Sequence, residues 1–176
     1  MSYTKSTALL KSEFAGALSL SEKFNIKAGV RPNRQVKAML SQAVNFLEPV
    51  ANDIGRKGAV VEVDSAWGSP EVFLDAKMAL KMGRSKERTA YLTGTVDVAL
   101  SQRDYEKLSN IRKAFKLRSD KQAAALSLRV YNSMLDNIWR GNGFTMTSKS
   151  GQPMESFDTT GPKALVRGAF RPIVGR

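Results

Sequence analysis

The chain has 176 residues, 42% of them apolar, which suits one domain of ordinary size or two small ones around a buried core. It holds no Cys and no His, which excludes disulfides, thiolate and imidazole metal sites, thiol nucleophiles and the commonest general base. Lys and Arg number 28 against 16 Asp and Glu; the resulting net charge of +12 attracts polyanions, and there is no apolar run of about 18 residues to span a bilayer.

In chain order, residues 5–22 read as a helix, with Leu9, Leu10, Phe14, Ala17 and Leu18 near a 3.6-residue period. Lys11 and Glu13 interrupt that apolar stretch, so it lacks the form of a signal peptide, and the expected location is cytoplasmic, with the nucleoid. A short extended piece at 24–27 and a break at Gly29 lead to a second helix opened by Pro32. Its apolar face is Val36, Met39, Leu40, Ala43, Val44 and Leu47, and Pro49 is expected to end or kink it. Gly55 to Gly58 is a turn, and residues 59–63 are β-like. Ser69 and Pro70 look like the cap and first position of a third helix, running to Gly83.

Arg84, Lys86 and Arg88 form a basic connector. From Thr95 the alternation is that of a strand: Val96, Val98 and Leu100 point one way, Thr95, Asp97 and Ala99 the other. Ser101 caps a helix from Gln102 to about Lys116, and Ser119 caps another from Asp120 to about Trp139. The second has an apolar face wide enough for burial on more than one side. Beyond Trp139 the chain turns Gly- and Pro-rich and basic, as a mobile tail would, with an ordered patch at Phe170 and Ile173. Val61-Glu62-Val63 resembles Val96-Asp97-Val98, and Arg84-Ser85 resembles Arg118-Ser119. With no room for a second long helix in the first copy, these matches read as coincidence. Tyr105, Trp67 and Trp139 read as core aromatics.

The fold expected is mostly α with short β segments (α+β). The organisation expected is a helical region over 1–88 for a protein partner or oligomerisation, a compact unit over 89–139, and a basic tail over 140–176. The strand, helix, turn and helix of 95–139 resemble the ribbon–helix–helix family, that of the Arc and methionine repressors, in element order, in Tyr105, Leu108 and Ile111, and in the Arg118-Ser119 turn. The resemblance implies a homodimer or higher oligomer, two chains pairing their strands into a ribbon that enters the major groove of duplex DNA. Thr95, Asp97 and Ala99 would then face bases. Arg118, Ser119 and Lys121 would meet phosphate, helped by Arg84, Lys86 and Arg88. The strand departs from the family pattern, since Thr, Asp and Ala stand where Arg, Lys, Asn or Gln are usual.

The expected function is therefore non-enzymatic, with no cofactor, metal or membrane: a transcriptional repressor, or a plasmid-partition or relaxosome accessory protein. The alternatives are a viral or filament assembly protein that uses its basic surface for packing, and an RNA-binding protein.

Overall fold

A computed structural model describes residues 5–24, 31–85, 94–154 and 158–169. The chain is mostly α with short β segments (α+β). It runs through strand β1 (Lys5–Leu10), helices α1 (Lys11–Lys23) and α2 (Pro32–Gly55), strands β2 (Val60–Asp64) and β3 (Glu71–Leu74), and helix α3 (Ala76–Arg84). Strand β4 (Thr95–Leu100), helices α4 (Gln102–Ala114) and α5 (Asp120–Trp139), strand β5 (Gly143–Thr147) and helix α6 (Thr160–Ala169) complete it.

The strand and two helices between 95 and 139 lie where alternation, capping and periodicity put them. Ser101 Oγ accepts from Asp104 N, and Ser119 Oγ accepts from Gln122 N, so each hydroxyl satisfies a first-turn amide. The partner of the strand differs from expectation. β4 pairs antiparallel with β1 of the same chain, from Lys5 opposite Leu100 to Leu10 opposite Thr95. The helix expected over 5–22 is therefore a six-residue strand followed by a helix from Lys11. The pairing that was expected to need a second chain is made within one. The backbone groups on one edge of β4 are satisfied by β1, a partner some 90 residues away that no local pattern announces.

β1, α1 and α2 repeat β4, α4 and α5. A shift of 91 residues (Lys11 to Gln102) carries α1 onto α4, both of 13 residues. It places Leu9 on Leu100, Glu13 on Asp104, Phe14 on Tyr105, Leu20 on Ile111 and Phe24 on Phe115, the last two being the residues that end the helices. A shift of 88 (Pro32 to Asp120) carries α2 onto α5. It superposes the buried Val36, Leu40, Ala43 and Leu47 on the buried Ala124, Leu128, Tyr131 and Leu135. The contacts follow the same near-two-fold relation: α2 packs on β4 and α4, while α5 packs on β1 and α1.

Two buried polar contacts repeat with it. The tenth residue of α5, Arg129, reaches Glu13 in the first turn of α1, with Nη2 to Oε1 at 2.9 Å. The tenth residue of α2, Ser41, donates to Asp104 in the first turn of α4 at 2.9 Å. Each half thus buries a carboxylate that the other half satisfies. Around these contacts Val36, Met39, Leu40, Val44, Leu47 and Ile54 of α2 are fully buried, each worth about 1.5–3 kcal/mol of transfer free energy.

The remaining elements correct the sequence expectations further. Ser69 and Pro70 do not start a helix. Glu71–Leu74 is a strand against β2, Phe73 stacks edge-on to Phe144 with centroids 4.8 Å apart, and the cap moves to Asp75, whose carboxylate accepts from Met78 N at 2.7 Å. α2 runs past Pro49 to Gly55, because Pro49 is exposed while Ala51 and Ile54 are buried in the core. The region after Trp139 is not simply a tail: β5 joins β2 to complete the sheet β3-β2-β5, and α6 packs on α5. Glycines there serve turns, as at Gly141 (φ 85°), rather than disorder. β1, from the region 1–88, and β4, from 89–139, share one ribbon. Of the extended piece expected at 24–27, Phe24 instead closes α1 as its C-cap; the rest of it, the break at Gly29 and the patch at Phe170 and Ile173 lie outside the described residues. The Val61-Glu62-Val63 and Val96-Asp97-Val98 segments fall in different sheets.

Candidate nucleic-acid interface

A strand with one buried face exposes the other. Thr7, Leu9, Val98 and Leu100 are buried beneath the β1/β4 ribbon. Thr95, Asp97, Ala99 and Ser6 are exposed on its outer side, and Ala8 and Leu10 are half-buried there. Across the strands, Ser6 opposes Ala99, Ala8 opposes Asp97 and Leu10 opposes Thr95. The outer face is made mostly of small side chains, with one carboxylate.

Cations flank it. Lys11 directly follows Leu10, donates its amide to Gly94 O and is exposed; Arg103, in the first turn of α4, is exposed beyond the other end. At the start of α2, Arg31 and Arg34 are exposed and the first turn holds no acid, an arrangement that favours an anion through both charge and helix dipole. At the start of α5, Arg118 is exposed and Lys121 half-buried.

The expected residues thus fall into two groups. Thr95, Asp97 and Ala99 share the outer ribbon face. Arg118, Ser119 and Lys121 stand together at the start of α5, and the Arg129–Glu13 contact seats the middle of that helix beside the end of β1. The amides around Ser119 are less available than expected, because Gln122 N is bonded to Ser119 Oγ and Arg118 N to Gln122 Oε1 at 2.9 Å. Asp120 is also occupied: it accepts from Tyr105 Oη at 2.8 Å and pairs with Arg112 Nε at 3.2 Å. The hydrogen bond to Asp120, then its charge, raises the Tyr105 pKa above its ordinary value. Arg84 is exposed at the end of α3, on a different element, and Lys86 and Arg88 lie outside the described residues.

Sequence reasoning missed Ser6, Ala8, Leu10, Lys11, Arg31 and Arg34. The signal for the first three was present: Ala8-Leu9 matches Ala99-Leu100, each pair just before a helix. Trp67, expected in the core, is 96% exposed at the β2–β3 turn. Trp139 is 39% exposed, with its ring edge-on to Phe24 at 6.4 Å. Tyr105 is half-buried: its ring packs against the core, and its hydroxyl donates to Asp120.

Among the described residues no three acidic side chains gather to hold a metal ion, and no helix is long and apolar enough to cross a membrane. No protein-family model, no curated protein and no solved structure matches the chain.

Proposed function

We propose that this is a non-enzymatic protein that binds duplex DNA by laying the β1/β4 ribbon in the major groove, as a ribbon–helix–helix protein whose two halves are supplied by one chain. One observation carries the reading: two equivalent strand–helix–helix units pair their strands antiparallel and leave the outer face of the ribbon exposed. A two-stranded ribbon has the width of that groove. Lys11, Arg31, Arg34, Arg103 and Arg118 supply phosphate contacts, in keeping with the net charge of +12. Thr95, Asp97, Ala99, Ser6 and Ala8 face the bases. Their small size and single negative charge make the phosphate contacts the larger share of affinity. Such a protein acts as a repressor or as a partition or relaxosome accessory protein, with the nucleoid.

The test is competition between duplex DNA, single-stranded DNA and RNA at several fixed salt concentrations. Duplex is expected to win, with affinity falling steeply as salt rises. Arg31→Ala with Arg34→Ala is expected to weaken all duplexes alike and to flatten the salt slope by about two. Preference for single strands or RNA refutes the reading.

A second reading, an assembly protein, is favoured by Trp67, an exposed aromatic at a hairpin tip, with Val72 also exposed on the strand that follows. Light scattering separates the two: large or open assemblies that shrink on Trp67→Ser support assembly.

A further inference from the structure

We infer that a single chain fills a single DNA site and that this site is asymmetric, its two halves differing in sequence. The inference rests on the reading of β1/β4 as a groove-binding ribbon, and it concerns what that ribbon recognises.

The geometry places the near-two-fold axis. Thr7 and Val98 are cross-strand partners and are also equivalents under the shift of 91 that relates the halves. The axis therefore passes between them, through the middle of the ribbon. In a ribbon made by two identical chains, residues related by that axis are identical, and the two halves of the bound DNA must match. Here the backbone keeps the relation and the side chains break it. Asp97 is related to Ser6 and Ser101 to Leu10, while Ala99 and Ala8 agree, as Thr95 agrees in sequence with Thr4, which lies outside the described residues. On one side of the axis the exposed face offers Asp97, with Ala8, Thr95 and Leu10. On the other it offers Ser6 and Ala99, with the half-buried Ser101, whose hydroxyl accepts from Asp104 N, at the position related to Leu10.

The flanking cations break the symmetry as well. Lys11 is related to Gln102, Arg103 to Ser12, Arg31 to Ser119 and Arg34 to Gln122. Phosphates are thus gripped from different positions on the two sides. Asp97 accepts hydrogen bonds and donates none. In the major groove it suits the exocyclic amine of a cytosine and repels the guanine acceptors. The related Ser6 hydroxyl both donates and accepts, and Ala8 and Leu10 offer methyl groups to thymine. The ligand is therefore a duplex with a cytosine fixed on one side and no two-fold repeat of it on the other.

The full-length chain is used to select duplexes from a random pool at about 0.15 M salt, and the selected complexes are weighed by native mass spectrometry. One chain per selected duplex is expected, with a consensus that lacks two-fold symmetry. Asp97→Ser, which makes the related positions identical at an exposed site, is expected to lower discrimination for the cytosine about tenfold. Two chains on a palindrome, or duplex binding with no sequence preference, overturns this inference and leaves duplex binding standing. Failure to bind any duplex overturns both.

Discussion

Arg129→Ala strikes the contact that ties the two halves together. Arg129 Nη2 lies 2.9 Å from Glu13 Oε1, with side-chain exposures of 13% and 3%. The same guanidinium donates to Met82 O and, at 3.0 Å, to Ser85 O at the end of α3. Glu13 also accepts from Leu10 N at 3.3 Å, where Leu10 has no side-chain oxygen to cap α1. At 2.9 Å the charges attract by about 6 kcal/mol at an effective dielectric of about 20, an attraction offset in large part by the cost of removing both from water. The net worth of the pair is therefore small, but removal of the cation alone takes the guanidinium away from a carboxylate still held out of water. That costs about 3–5 kcal/mol, about a fifth or more of the stability of an ordinary domain. Replacing both partners with apolar residues, Glu13→Leu with Arg129→Met, recovers most of the loss. Urea unfolding of the wild type, the two single variants and the double variant gives the coupling directly. Single variants within about 1 kcal/mol of the wild type, or losses that simply add in the double variant, refute the idea that this contact clamps the halves.

Other outcomes follow from the same packing. Ser41→Ala, the related position in α2, removes a hydrogen bond to the buried Asp104 carboxylate and is expected to cost about 1.5–3 kcal/mol by the same unfolding measurement. Gly55→Ala brings a Cβ to 2.3 Å from Ala114 O, where the ends of α2 and α4 meet. Backbone must shift, and a loss of about 1–3 kcal/mol is expected in place of the gain that Ala usually gives in a helix. Burial pushes the Tyr131 hydroxyl well above its ordinary value of 10.0. The unfolded chain releases that proton from about pH 10 while the folded chain keeps it. Stability is therefore intact below that pH and falls above it by up to about 1.4 kcal/mol per pH unit. Tyr131→Phe removes that component, so its urea midpoint is expected to fall less than the wild type's between pH values of about 9 and 11. Trp67→Ser is expected to leave the unfolding midpoint within about 0.5 kcal/mol of the wild type, since the ring is exposed.

The second half of the molecule was legible because its signals are local. Strict alternation from Thr95 to Leu100, serine caps at 101 and 119, and the wide apolar face of α5 each report through neighbours a few residues away. The outer face Thr95, Asp97 and Ala99 was legible for the same reason. The first half carries the same architecture with weaker marks. Leu10 stands where Ser101 caps, Ala17 where Leu108 is buried, and Ala8, Leu9 and Leu10 fit a helical period as well as a strand. The β3 and β5 strands are likewise short, and it is β2 between them that makes each extended.

The sequence by itself determined the α+β character, the strand–helix–helix unit at 95–139 and the excess of positive charge, because composition and short-range periodicity are properties of the chain alone. Only the tertiary structure decided that Lys5–Leu10 is a strand, that it is the partner of Thr95–Leu100, and that Glu13 meets Arg129 as Asp104 meets Ser41. A six-residue segment with no turn signal gains little from being extended on its own. The free energy that holds β1 straight comes from hydrogen bonds to a strand some 90 residues away and from burial of Thr7 and Leu9 beneath the ribbon, and neither exists until the two halves close on each other.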